Sequence, residues 1–242
     1  MWLTLATTVF LIGLLEPVRD ATAGYPVVAV LGFFGMAASV AGWIRQDVDE
    51  LSHKPFTLGH SEYLAGTIVL ILSEIVIFGV LFFFYFWSRA HTTSFVPEQI
   101  LHMDMTLIVA NTVVLLSSGA TVHMAQINLK KGAMGAFRVW LGLTILLGVA
   151  FVGGQVFEYR ELVHEGLTPQ TGPYGTAFFS LTGVHGLHVV AGIVALTIIW
   201  ALSFKGFIRK ERASGVEGAF IYWHFVDAIW ILVFSFVYLR VV

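Results

Sequence analysis

Residues 66–86 read GTIVLILSEIVIFGVLFFFYF, and Glu74 is the only charged side chain among them. A bilayer core of about 30 Å needs about 20 helical residues to span it. Hydrocarbon cannot satisfy the hydrogen bonds of an open backbone, so an apolar run of this length is expected to be helical. The stretch therefore predicts a membrane-spanning helix, which we place over residues 63–88.

Further apolar runs lie on both sides of this one. We predict an all-α membrane protein with seven transmembrane helices in a single membrane domain over residues 1–242, with runs at residues 1–15, 26–44, 63–88, 104–127, 138–160, 176–204 and 218–240. All six prolines lie between runs or at the first residue of a run, as expected because proline breaks helix interiors. The first run is the shortest, and Ala21-Thr22-Ala23 behind it resembles a signal-peptide cleavage site. We predict a retained helix there, because no Lys or Arg precedes the run as a secretory signal requires.

The composition excludes several classes of protein. Apolar residues make up 57% of the chain and charged residues 12%, against about half and about a quarter in a soluble domain. The net charge of −2 and the lack of any basic stripe argue against a nucleic-acid partner. The chain has no cysteine, which excludes disulfides, thiolate metal sites and cysteine nucleophiles.

The loops on alternate sides of the membrane differ in their content of Lys and Arg. With seven crossings, nine of the 13 such residues lie on one side, namely Arg45, Lys54, Lys130, Lys131, Arg138, Lys205, Arg209, Lys210 and Arg212. The other side holds Arg19, Arg89, Arg160 and Arg240. Because Lys and Arg are enriched in cytoplasmic loops, we predict the N-terminus inside and the C-terminus outside.

Glu74 lies about eleven residues into its run, which places it about 16 Å deep at about 1.5 Å per residue. An ionised side chain at that depth costs about 2.5–3.5 kcal/mol to insert, so a protonated carboxyl is expected at neutral pH. One interpretation is a carboxylate that handles protons or contacts a partner. The alternative is a neutral carboxyl hydrogen-bonded to a neighbouring helix, and we favour the first because intramembrane carboxylates are usually functional.

Two pairs of polar residues recur at a three-residue spacing, which places each pair on one helix face. His185 and His188 lie on the sixth run, and His224 and Asp227 lie at a similar depth on the seventh. Imidazole ligates haem and metals, so ligation is one interpretation. The other is hydrogen bonding between helices. We predict the second, and therefore no haem or metal in this chain.

Small and polar residues predict where helices pack closely. Gly148, Gly153 and Gly154 on the fifth run allow close approach of a neighbour. On the fourth run Asn111, Thr112, Ser117 and Ser118 form a polar stripe.

The loop over residues 45–62 differs from the other loops in its mixture of charges and histidines. Its residues Arg45, Glu50 and His60 follow the aromatic Trp43 at a membrane interface. Such a cluster suits a phospholipid head group. A solvated loop with no ligand is the simpler alternative.

Several motifs, in order over about residues 43–242, resemble the cytochrome c oxidase subunit III family. They are Trp43-Ile44-Arg45-Gln46-Asp47 with Glu50, Leu72-Ser73-Glu74, Asn111-Thr112 with Leu115-Leu116-Ser117-Ser118-Gly119, Gln155 with Glu158-Tyr159, Tyr174-Gly175-Thr176 with Phe178-Phe179, Thr182-Gly183-Val184-His185-Gly186-Leu187-His188-Val189, and Tyr222-Trp223-His224-Phe225-Val226-Asp227. The last two are the most specific. Residues 1–42 match only in helix count.

The resemblance implies a non-redox subunit of a haem–copper oxygen reductase, whose first two helices are splayed from a five-helix bundle. It implies subunits I and II as partners, haem and copper in those partners, bound phospholipid in the cleft, and no catalytic residue in this chain. Subunit III of this family supports proton uptake and lasting turnover by subunit I. Glu74 matches the family's carbodiimide-reactive glutamate, and Arg45, Glu50 and His60 match its lipid-contacting region. The expected location is a bacterial or archaeal cell membrane or the mitochondrial inner membrane.

Three other functions remain open at this point. The equivalent subunit of a quinol oxidase typically has five helices, whereas seven runs favour the cytochrome c type. A stand-alone proton-coupled transporter could use Glu74 and the His/Asp pair, but such transporters usually show inverted repeats and broken helices. A membrane cytochrome b would need histidine haem ligands.

Overall fold

The computed structural model describes residues 60–93, 95–97, 105–208 and 214–239. Within them lie five α-helices: α1 (His60–His91), α2 (Met105–Lys131), α3 (Met134–His164), α4 (Pro173–Phe204) and α5 (Ser214–Val233). A π-helix, Phe234–Tyr238, continues α5. No strand occurs in these ranges.

The five helices correspond to the third to seventh predicted runs, and most are longer than predicted. For example, α2 continues past the predicted end at residue 127 to Lys131, and α3 begins at Met134 rather than at residue 138. The apolar pattern marks only the part of a helix that lies in hydrocarbon, whereas the backbone hydrogen bonds continue into polar turns. The first two predicted runs, residues 1–15 and 26–44, lie outside the described residues.

All five helices, by length and composition, can cross a membrane. Their outer faces carry large apolar side chains such as Val76, Phe83, Val139 and Leu187, each more than three-fifths exposed. Apolar side chains on the outside of a bundle suit a lipid solvent. The chain is therefore an integral membrane protein.

Helix α5 lies at the centre of the packing and contacts α1, α2 and α4, while α3 packs between α2 and α4. Two indoles of α5 fill the core and are fully buried. The Trp223 N–H donates to Ser118 Oγ and the Trp230 N–H donates to Thr112 Oγ1, each at 3.0 Å. The predicted polar stripe of α2 thus serves as the hydrogen-bonding partner of the α5 tryptophans.

Two of the small residues singled out in the sequence make room for side chains rather than for a neighbouring backbone. A Cβ added to Gly148 would lie 2.9 Å from the Trp223 ring, and one added to Gly154 would lie 2.6 Å from Asn111 Oδ1. An added Cβ at Gly153 meets nothing within 4 Å. Close contact was therefore predicted correctly at two of these three glycines.

Helices α2 and α3 end in the same way. Gly132 and Gly166 have φ values of 78° and 93°, a conformation that glycine adopts without steric cost. The amide of the residue after each glycine donates to a helix carbonyl five residues back, Ala133 to Asn128 and Leu167 to Leu162, both at 2.9 Å. This is the Schellman arrangement, which satisfies carbonyls that the helix end would leave free.

Candidate functional site

Glu74 of α1 contacts His188 of α4 in the apolar part of the bundle. Glu74 Oε2 lies 2.7 Å from His188 Nε2, and the two side chains are about one-sixth exposed, at 17% and 16%. The other ring nitrogen, His188 Nδ1, lies 2.7 Å from the Val184 carbonyl oxygen. The sequence placed both residues in the membrane, and the structure brings them together.

The geometry of this pair constrains where its proton is. A carbonyl oxygen only accepts, so His188 Nδ1 carries a hydrogen and donates it to Val184. A neutral imidazole protonated at Nδ1 has only a lone pair at Nε2. That lone pair cannot bond a carboxylate, which also only accepts. The 2.7 Å contact therefore requires one proton between Glu74 and His188, as a carboxylic acid facing an imidazole or as a carboxylate facing an imidazolium.

The neighbours of the pair are mostly aromatic. The Phe78 ring lies 5.1 Å from the His188 ring, and the Tyr222 hydroxyl donates to the His188 carbonyl at 3.3 Å. Ser73 does not assist Glu74, because its hydroxyl donates to the Leu70 carbonyl of its own helix at 2.6 Å. Among the described residues, no other side chain hydrogen-bonds the Glu74 carboxyl or the His188 ring.

His185, the other histidine of this motif, is fully buried but makes none of the predicted interhelical hydrogen bonds. Neither of its ring nitrogens has a partner among the described residues. Its ring lies 5.0 Å from that of Trp230 and meets the Phe151 ring edge-on at 5.9 Å. The three-residue spacing placed His185 beside His188 but could not show that the neighbouring helices present aromatic rings there.

His224 and Asp227 of α5 face α2, not His188. His224 Nδ1 lies 3.8 Å from Asp227 Oδ2, too far for a hydrogen bond. The Asp227 carboxyl packs against Gly119 of α2, and the His224 ring lies 6.4 Å from the His123 ring. The structure therefore separates the four predicted polar residues. His188 forms a site with Glu74 and His185 is buried among aromatic rings, whereas His224 and Asp227 face α2.

A second buried carboxyl was not singled out as a site residue in the sequence. Glu158 is 5% exposed, and its Oε2 accepts from Gln155 Nε2 at 2.7 Å. Gln155 Nε2 also lies 3.5 Å from the Tyr238 hydroxyl, which the π-helix brings into the core. The sequence does contain a signal for this site, because the amide of Gln155 and the carboxyl of Glu158 lie three residues apart within the apolar run over residues 138–160.

The lipid-contacting residues expected from the resemblance lie mostly outside the described ranges. This applies to Arg45 and Glu50, whereas His60 is the first residue of α1. No three His, Asp or Glu side chains in the described part of the chain converge as metal ligands would.

Helices that can cross a membrane, with a carboxyl–imidazole pair among them, define a polytopic membrane protein. The family model for cytochrome c oxidase subunit III matches residues 3–241. The chain belongs to the cytochrome c oxidase subunit III family.

Individual relatives agree with the family match. The chain is 36% identical over 173 residues to a probable cytochrome c oxidase subunit 3 of Nocardia farcinica, covering 72% of this chain and 85% of that one. It is 36% identical over 175 residues to cytochrome c oxidase subunit 3 of Thermostichus vulcanus, with the same coverage, 72% and 85%. The protein of that name from Synechocystis is 34% identical over 183 residues, covering 75% and 77%.

Proposed function

We propose that this chain is the non-redox subunit III of a proton-pumping cytochrome c oxidase, which reduces oxygen to water. Haem and copper belong to the partner subunits, with subunit I as the main contact and subunit II elsewhere in the complex. The observation that carries this proposal is the family match over residues 3–241. The relatives described above are named for cytochrome c oxidase, which disfavours the quinol oxidase alternative.

Within that complex, Glu74 and His188 support proton uptake by subunit I. The 2.7 Å contact between them requires a shared proton, and both side chains retain a small exposed surface. While the pair holds this proton it has no net charge in hydrocarbon, so release of the proton toward subunit I requires that another proton replace it. The role is supportive, because no redox group is expected in this chain.

The N-terminal part of the chain contributes a phospholipid site. The family resemblance implies that two N-terminal helices, predicted at residues 1–15 and 26–44, are splayed from the other five, and we propose that Arg45, Glu50 and His60 hold a lipid head group at that cleft. The mixed charges and histidines of the loop over residues 45–62 support this assignment. The bound lipid lengthens the working life of subunit I.

Gentle purification followed by a reduced-minus-oxidised spectrum tests the proposed function. We expect the tagged chain to co-purify with subunits that contain haem and copper, and the complex to oxidise cytochrome c in preference to a quinol. The separated subunit should show no haem absorption band and no bound transition metal. Purification of the chain without any haem-containing partner would instead support a stand-alone transporter, and a preference for quinol would support the quinol oxidase alternative.

A further inference from the structure

Two histidine rings face outward from the bundle where α2 and α5 pack together. His123 of α2 is exposed, and the His224 side chain of α5 is 44% exposed. Their ring centroids lie 6.4 Å apart. Within the described part of the chain neither ring has a hydrogen-bond partner, since the nearest carboxyl oxygen, on Asp227, lies 3.8 Å from His224 Nδ1.

The depth of these rings follows from an ion pair between the same two helices. Lys130 Nζ lies 3.0 Å from Glu217 Oε1, and the lysine side chain is 57% exposed. A lysine near a helix end directs its ammonium group to the membrane interface, so this pair marks that level. His123 and His224 each lie seven residues deeper along their helices, which is about 10 Å at about 1.5 Å per residue.

Lipid is a poor neighbour for polar rings at this depth. Hydrocarbon offers no hydrogen bond, and an unsatisfied polar group there costs several kcal/mol. Exposed positions at comparable depth on α3 and α4 include Leu146 at 64% and Ile198 at 54% exposure, and the exposed hydroxyl of Thr197 donates to the Ile193 carbonyl of its own helix at 2.7 Å. The surface between α2 and α5 therefore differs from the lipid-facing surface of the same bundle.

Several exposed residues on the same stretches of α2 and α5 are small, beside the larger Leu116 and Met124. Ser117 and Ala120 on α2 and Ala228 on α5 are exposed next to His123 and His224. Small side chains let another helix approach closely, and polar side chains then bond across the contact. We call Ser117, Ala120, His123, His224 and Ala228 the polar seam.

We propose that the polar seam is the docking surface for a transmembrane helix of the haem-bearing partner subunit. This inference rests on the proposed function, which supplies that partner. A neutral imidazole presents one donor and one acceptor, so the docking helix carries hydroxyl or amide side chains opposite the two rings. Lipid tails lack such groups, and lipid head groups lie about 10 Å away at the level of the Lys130–Glu217 pair.

Photo-crosslinking in membranes that contain the whole complex tests this assignment. Benzoylphenylalanine replaces Ala120 or Ala228 in the seam, and Leu146 or Ile198 in the matched controls. We expect covalent adducts with the haem-bearing subunit from both seam positions and several-fold fewer from the controls. Adducts only with lipid, with another segment of this chain or with a second copy of it would overturn the proposal.

Co-purification supplies an independent measurement. We expect Ala120→Leu combined with Ala228→Leu to lower the recovery of the haem-bearing subunit with this chain several-fold, and Leu146→Ala to leave it unchanged. Unchanged recovery in the double variant would overturn the docking surface. If the wild-type chain co-purifies with the haem-bearing subunit but the seam gives no adduct with it, the docking surface is wrong and the proposed function stands. If the wild-type chain brings down no haem-bearing subunit, the proposed function itself is wrong.

Discussion

The position of one hydrogen determines the chemistry of the Glu74–His188 contact. The Val184 carbonyl, 2.7 Å from His188 Nδ1, fixes the tautomer of a neutral ring. The remaining ring nitrogen and the carboxyl then need a proton between them. This agrees with the expectation from insertion cost that an isolated carboxylate is unfavourable at this depth.

Glu74 should react with a lipid-soluble carbodiimide ahead of the solvated acids. The reagent needs a protonated carboxyl in an apolar place, and Glu74 is both membrane-embedded and partly exposed. We expect Glu74→Gln to abolish labelling and to leave oxygen reduction largely intact. Labelling is measured by mass spectrometry of the purified complex.

Glu158 is the matched control for this labelling because it is a membrane carboxyl that the reagent cannot reach. It is 5% exposed, so Glu158→Gln should leave the labelling of Glu74 unchanged. A Glu74→Gln enzyme that lost nearly all oxygen reduction, with haems and subunits assembled, would show that Glu74 lies on the obligatory proton route.

A double-mutant cycle on Glu74 and His188 should reveal their interaction energy. When two residues share a hydrogen bond, the effects of replacing them on stability are not additive. Polar pairs between membrane helices contribute about 0.5–2 kcal/mol. We therefore expect Glu74→Leu and His188→Leu to be non-additive by about that amount in the free energy of detergent-driven unfolding. Additivity within about 0.3 kcal/mol would mean that the 2.7 Å contact contributes nothing to stability.

The sequence could reveal Glu74 but not its partner. A lone acid in an apolar run is visible from composition, as is the shared face of His185 and His188. Which of these histidines meets Glu74 depends on how α1 packs against α4, and that contact joins residues 114 positions apart. Local spacing contains no information on such a contact.

At the scale of the elements, helix existence was predictable and helix ends were less so. Hydropathy located every helix that the structure describes, because each must bury a continuous apolar length in lipid. The ends depend on local hydrogen bonds such as those after Gly132 and Gly166, which hydropathy does not register. The π-helix after α5 was not predicted, since its sequence, Phe234–Tyr238, is as apolar as the helix before it.

Gly166→Ala should destabilise the chain through the backbone alone. An added Cβ there meets nothing within 4 Å, but φ is +93°, a region that costs an L-residue about 1–2 kcal/mol. We expect a loss of about 1 kcal/mol in the free energy of unfolding. Gly153→Ala, in the interior of α3 and equally open, should instead stabilise the helix by up to about 1 kcal/mol. Equal effects of the two substitutions would contradict this account.

At the scale of the whole molecule, α5 joins the rest of the bundle through α1, α2 and α4. Its central position follows from two fully buried tryptophans, whose ring nitrogens bond α2. The buried indoles were not evident from hydropathy, which does not distinguish a core-facing Trp from one at the interface. The orientation of the bundle in the membrane rests on the distribution of Lys and Arg.

Single cysteines can test the predicted orientation because the chain has none of its own. We expect a membrane-impermeant maleimide to label Gln170→Cys, between α3 and α4, in intact cells. Lys131→Cys, at the last residue of α2, should react only after the membrane is opened. The reverse pattern would place the N-terminus outside.

Arg45→Ala should shorten the working lifetime of the oxidase more than it lowers the initial rate. The reason is that loss of the proposed head-group contact weakens lipid retention without touching the redox centres that we propose for the partner subunits. Lipid content and activity over repeated turnover are measured in the purified complex. The control is Arg160→Ala, because Arg160 lies near the end of α3, on the side of the membrane predicted to be opposite to Arg45. An Arg45→Ala variant with normal lipid content and normal lifetime would count against the lipid site.

The π-helix over Phe234–Tyr238 has a consequence for how the chain tolerates changes in length. A π-helical turn holds one more residue than an α-helical turn. Deleting one residue within it would let the backbone close as ordinary α-helix, so the helix itself would survive. Residues beyond the deletion would keep their orientation, because the π turn and the α turn that replaces it complete a similar rotation about the axis, and Tyr238 would still face Gln155. The π turn thus absorbs one residue without changing the face that meets α3, whereas a one-residue deletion within α5 that stayed α-helical would rotate Tyr238 by about 100°.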